Sequence, residues 1–257
     1  MKEKLFIIKV GGKIIEDEVA LQQLLIDFSK LEGNKVLVHG GGQLATTLAT
    51  KLGIPTKMVD GRRITDDSML KIITMVYAGW VNKQIVAKLQ ALDVNALGLT
   101  GADLNFISSE KRPIGEIDYG LVGDVKKVDA TLISNLIEKK VVPVVAPVTH
   151  DKAGNLLNTN ADTIAAEVAK AFAEWFEVTL IFCFEKKGVL LNEEDEESVI
   201  AELNSSLFEQ YVAEKVIQGG MIPKLQNSFD ALKAGVKEVW ITRADQLNRK
   251  KGTKITL

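Results

Sequence analysis

Six short runs rich in β-branched and other apolar residues recur along the chain, at 5–10 (LFIIKV), 35–39 (KVLVH), 95–99 (NALGL), 141–148 (VVPVVAPV), 178–184 (VTLIFCF) and 238–242 (EVWIT). Between most of them the apolar residues return at helical spacing. Leu21, Leu24, Leu25, Phe28 and Leu31 do so, as do Leu44, Leu48 and Leu52, and Leu225, Phe229 and Leu232. A strand that is apolar at nearly every position is buried on both faces, and parallel neighbours need a crossover helix to bring the chain back. The alternation therefore predicts an α/β protein with a mainly parallel sheet covered on both sides. Residues 100–127 break the rhythm. Gly101, Pro113, Gly115, Gly120 and Gly123 stand among short polar pieces there, which predicts a hairpin excursion or lid. The acidic run NEEDEES at 192–198 reads as a solvated loop. With no internal repeat and no low-complexity linker, any two lobes must share a continuous sheet or a short hinge.

The 257 residues, 46% of them hydrophobic and 26% charged, are enough to bury a substantial core. A net charge of −2 gives no electrostatic footprint for nucleic acid. No stretch approaches the roughly 18–20 uninterrupted apolar residues of a membrane span. Cys183 is the single cysteine and no signal peptide opens the chain, so the expected compartment is a reducing cytoplasm. That cysteine and two histidines, His39 and His150, are far apart, which argues against a structural metal site.

In a parallel sheet, ligands bind beyond the carboxyl ends of the strands. The first run ends KVGGK, with Gly11 and Gly12, and the second ends VHGGG, with Gly40, Gly41 and Gly42. Glycines let backbone N–H groups approach an anion, and a following helix adds its positive end. Two such turns point to an anion site. It is not a P-loop, because Ile14 follows Lys13, and neither turn fits G-x-G-x-x-G. HGGG also occurs as the oxyanion element of hydrolases, but the chain has no G-x-S-x-G elbow. Lys9 lies inside the first apolar run, so either an anion neutralises it or that side of the strand faces solvent. In QGGMIPKL, a glycine-rich approach and a helix-starting Pro223 precede Lys224, which again suits phosphate. Arg63 in DGRRIT can fork onto a carboxylate. In NTNAD, an extended backbone would point Asn158, Asn160 and Asp162 the same way, the amides toward a polar substrate and Asp162 toward the lysines. Asn160 can equally be a helix cap.

IIKVGGK, VHGGG, DGRRIT, NTNADTIAA, GGMIPKL and the closing GTKI, in this order over essentially the whole chain, resemble the amino acid kinase superfamily, most closely its N-acetylglutamate kinases. The resemblance implies a three-layer αβα sandwich in two lobes. Residues 1–173 would bind the amino acid and dimerise, and residues 174–257 would bind ATP. It implies transfer of phosphate from MgATP to the side-chain carboxylate of an N-acylated glutamate, with the metal held mainly by the nucleotide. Lys9 and Lys224 match the lysines that stabilise the transferring group, and Asp162 the carboxylate that organises them. Gly41 and Gly42 match backbone donors at the substrate, and Gly11 and Gly12 lie near the nucleotide phosphates. Arg63 and Asn158 match contacts to the α-carboxylate, with Asn160 beside them. Where the family reads L-x-D-V-x-G-V, this chain has FCFEKKGVLL, with Glu185 and Lys186 at the Asp-Val pair. The divergent loop GLTGADLNF at 98–106 leaves a longer acyl group, such as succinyl, open as an alternative; a non-catalytic amino-acid sensor is another. Only MKEK precedes the first run, which by the resemblance implies a plain homodimer without arginine feedback.

Overall fold

A computed structural model describes residues 2–59, 62–249 and 251–257. Its centre is an eight-stranded sheet in the order Glu202–Leu203, Thr253–Ile255, Glu238–Arg243, Glu177–Phe184, Lys4–Val10, Asn34–His39, Val142–Val145, Ala96–Leu99. Neighbours are parallel except Glu238–Arg243 with Thr253–Ile255. The six runs expected as strands are all present and contiguous. The two strands added beyond them are two and three residues long, too short to show a period.

Lys4–Val10 is central, paired along its length with Glu177–Phe184 on one side and with Asn34–His39 on the other. Successive residues of a strand point to opposite faces. Accordingly Ile7 joins the core formed with the helices Ala161–Phe172 and Met221–Lys233, while Ile8 joins the core formed with Glu18–Ser29 and the helical stretch 67–90. Two cores on two faces make three αβα layers. The helix Gly42–Lys51 departs slightly from its leucine spacing. Its buried line is Ala45 and Ala49, while Leu44 and Leu48 are half-buried and Leu52 is exposed. The small alanines let this helix sit close against its neighbours.

The break at 100–127 is the predicted hairpin. Ile107–Lys111 runs antiparallel to Gly123–Val128, and with Val148–His150 and Leu156–Asn158 it forms a four-stranded sheet. A second small hairpin pairs Met58–Val59 with Arg62–Arg63; Asp60 and Gly61 of DGRRIT lie outside the described residues. The two excursions are stitched together, since the Thr65 N–H donates to the Tyr119 carbonyl (3.0 Å) and the Leu121 N–H to the Thr65 carbonyl (2.7 Å). Gly120, at φ +71°, permits this approach: a Cβ there would stand 2.3 Å from the Thr65 oxygen.

Candidate active site

Lys9 follows Leu5 and Ile7 on one face of the central strand, the face covered by the helix that carries Asp162. There is no edge at this position, so the solvent-facing reading of Lys9 falls. Its ammonium meets Asp162 Oδ1 at 2.8 Å, and Lys224 donates to Oδ2 at 2.8 Å. Both lysines are buried, and the Lys224 ammonium also lies 5.3 Å and 5.7 Å from the ring centroids of Phe182 and Phe184. Burial pushes the Asp162 carboxyl upward, but the two ammonium groups outweigh it and hold the acid well below the usual carboxylate range. Burial lowers the Lys224 pKa; Asp162 opposes that shift and Lys9 adds to it. Two cations on one carboxylate leave a net positive charge in a poorly solvated place, which favours a further anion.

The glycine turns are built for that anion. Among the described residues, five helices begin on an Asp or Asn side chain that accepts from their first-turn amides: Asp17, Asp66, Asp129, Asn160 and Asn204. The helices that begin at Gly12, Gly42 and Met221, each approached through glycine, have no side-chain cap. Their amides are left for something else to satisfy. The first two turns face each other, as a Cβ at Gly12 would stand 3.8 Å from the nitrogens of both Gly41 and Gly42. Gly41 must be glycine, having φ +152° and a would-be Cβ 3.0 Å from the Tyr77 ring.

Gly41 and Gly42 border a cleft of about 180 Å³ that is also lined by Arg63, Tyr77, Arg112, Asn158 and Asn160. Arg63 Nη2 donates to the Gly42 carbonyl (2.7 Å) and to Thr46 Oγ1 (2.8 Å), while its buried Nη1 has no partner among the described residues. Asn158 Nδ2 donates to Thr65 Oγ1 at 3.0 Å. The three polar residues of NTNAD do not share one strand face. The strand ends at Asn158; Asn160 caps the helix, accepting from the amides of Asp162 and Thr163; and Asp162 turns to the lysines. Asn160 is thus both a cap and part of the cleft wall. Glu185 pairs with Lys13, at 2.8 Å, on the first glycine turn.

His39 offers no general base. It is fully buried, and its Nδ1 lies 2.8 Å from the Gly40 carbonyl oxygen, which can only accept. Nδ1 therefore carries the proton and Nε2 accepts from Asn82 Nδ2 at 3.1 Å. Burial holds its pKa down at about 4. Sequence patterns gave no hint of Tyr77 or Arg112. Neither lies in a glycine turn, and each reaches the cleft through long-range packing.

Paired ammonium groups beside uncapped helix ends are what the transfer of a phosphoryl group asks of a protein, and the chain belongs to the amino acid kinase family, whose pattern matches residues 4–243. Within it the chain falls among the acetylglutamate kinases. It is 65% identical to that of Bacteroides fragilis over 255 residues, covering 99% of this chain and 98% of the relative, and 64% identical to that of Bacteroides thetaiotaomicron over 255 residues, covering 99% of each. Among solved structures, the protein smu.665 of Streptococcus mutans superposes with a TM-score of 0.82 at 29% identity, covering 98% of both chains.

Proposed function

We propose that the chain transfers the γ-phosphoryl group of ATP to the side-chain carboxylate of N-acetyl-L-glutamate, giving an acyl phosphate in arginine biosynthesis. The observation that carries this reading is the pair of buried lysines on Asp162. A carboxylate nucleophile is already ionised at neutral pH, so no base is required, in keeping with a histidine whose ring nitrogens are both engaged. What the site must overcome is repulsion between two anions and the charge that gathers on the transferred group. Lys9 and Lys224 supply the counter-charge, and Asp162 holds both in place. The amides of Gly41 and Gly42 receive the substrate carboxylate, and those near Gly11 and Gly12 the nucleotide phosphates. Arg63 and Asn158 fix the α-carboxylate, with Asn160 alongside.

No cluster of three or more metal-ligating side chains occurs among the described residues, and the Asp162 oxygens are already on lysines. The donor set thus suits Mg²⁺ carried on the nucleotide's own phosphates, where it would neutralise β,γ-oxygen charge. In this reading residues 1–173 form the amino-acid lobe and residues 174–257 the nucleotide lobe, meeting at the pairing of Lys4–Val10 with Glu177–Phe184. The enzyme works in the cytoplasm as a homodimer. Among the described residues no helix is long and apolar enough to cross a membrane. Hydroxylamine trapping of acyl phosphate tests the reading, using ATP with N-acetyl-, N-succinyl- or free L-glutamate. We expect product from the N-acetyl substrate. Product from the succinyl form alone would reassign the acyl group, and no product from any would indicate a sensor.

A further inference from the structure

We propose that Arg112 is a specificity-determining residue that reads the N-acyl oxygen of the substrate. This rests on the acyl-glutamate reading above. Arg112 directly follows the hairpin's first strand, Ile107–Lys111, and lines the cleft that holds Arg63 and Asn158. Its guanidinium is fixed from behind. Nε donates to both oxygens of Asp124 at 3.1 Å, Nη2 donates to Asp124 Oδ1, and the group lies 5.4 Å from the Tyr119 ring centroid. One arm remains: Nη1 is buried and has no partner among the described residues. A buried N–H donor without an acceptor is costly, and a preorganised one is how a site selects for a matching oxygen.

The substrate's acceptors can be assigned by elimination. The reacting carboxylate goes to the glycine turn, and the α-carboxylate to Arg63, whose own Nη1 has no partner among the described residues. The carbonyl of the acyl group is what is left for Arg112. Charge supports the same assignment. Among the described residues Arg62, Arg63 and Arg112 line the cleft and no Asp or Glu does. A free α-ammonium would face this cationic wall with no carboxylate among the described lining residues to receive it, whereas an amide carries no charge and offers an oxygen. The link through Thr65, Tyr119 and Leu121 keeps the two guanidinium-bearing excursions in register, so carboxylate and acyl group are read by one rigid unit.

The test compares the KM for N-acetyl-L-glutamate with the inhibition constant of glutarate, which has both carboxylates and no acylamino group. Both are measured with the full chain and saturating MgATP. Arg112→Met should raise the KM about tenfold, the size of one lost hydrogen bond to a charged donor. kcat should stay within about twofold, and so should the inhibition constant of glutarate. Arg112→Lys keeps the charge on Asp124 but has no second arm, and should behave like Arg112→Met. An unchanged KM, rescue by lysine, or a glutarate constant that rises in step with the KM would overturn the assignment. Turnover of N-acetyl-L-glutamate by the wild-type chain, measured alongside, tests the underlying function separately.

Discussion

Lys9, from the central strand, and Lys224, from the last long helix, bind opposite oxygens of the Asp162 carboxylate, each at 2.8 Å. The first glycine turn follows Lys9 and Gly219–Gly220 precede Lys224, so both lysines sit beside backbone suited to phosphate. If they stabilise charge that develops only during transfer, their loss should appear in kcat. Lys9→Ala and Lys224→Ala should each lower kcat by about 10²–10⁴-fold, with smaller changes in KM. Steady-state acyl phosphate formation measures this, and a near-normal rate in either variant would remove that lysine from the chemistry.

Arg63 should act on binding. Its guanidinium is anchored on Gly42 and Thr46 with Nη1 unpartnered among the described residues, a contact equally available to bound substrate and transition state. Arg63→Ala should therefore raise the KM for the amino-acid substrate by about 10–100-fold with little loss of kcat. An unchanged KM would displace Arg63 from the pocket.

Two pH windows of stability should separate. The folded-state pKa of His39 is lowered to about 4 from 6.5, so the unfolded chain takes up this proton first as pH falls. Stability should then drop between pH 6.5 and 4 by up to roughly 3 kcal/mol. Urea melts at pH 7, 5.5 and 4 should show that drop in the wild type and a flatter profile in His39→Gln.

Asp162 governs the lower window. Its folded pKa is depressed, so its contribution is present above the ordinary carboxylate value and is lost as pH falls below about 4, toward the folded value. Asp162→Asn leaves two buried ammonium groups without a counter-charge and should cost roughly 3 kcal/mol at pH 7. The gap from the wild type should narrow below pH 4; a gap independent of pH would mean that Asp162 is not ionised in the fold.

Gly41→Ala places a methyl group 3.0 Å from the Tyr77 ring at φ +152°. It should destabilise the chain by about 1–3 kcal/mol and lower activity through a displaced turn. Thermal melts and kinetics together check this, and an unaltered melting temperature would show that the turn is not strained.

The sheet could be read from the sequence because strands buried on both faces must be apolar throughout, as LFIIKV and VTLIFCF are. Glu202–Leu203, at the edge, and Thr253–Ile255, beside it, escaped because strands of two or three residues carry no period. The site was legible where chemistry needs a rare local arrangement: glycine pairs at strand ends, or a lysine inside an apolar run. Asn160 shows the limit. Capping and cleft lining impose the same residue at the same place, so composition could not separate them. Tyr77 and Arg112 could not be read at all. Tyr77 lies in a π-helical segment whose apolar pattern is that of any core helix, and Arg112 sits on a hairpin where a lone arginine normally means only solvation.

The role of the two lysines in the transfer is tested most directly by a crystal structure with ADP, Mg²⁺, N-acetyl-L-glutamate and aluminium fluoride bound in place of the transferring phosphoryl group. The expected result is both lysine Nζ atoms within hydrogen-bonding distance of the fluoride, still gripping the two Asp162 oxygens. A fluoride group seated away from them, with either lysine touching nothing but Asp162, would contradict it.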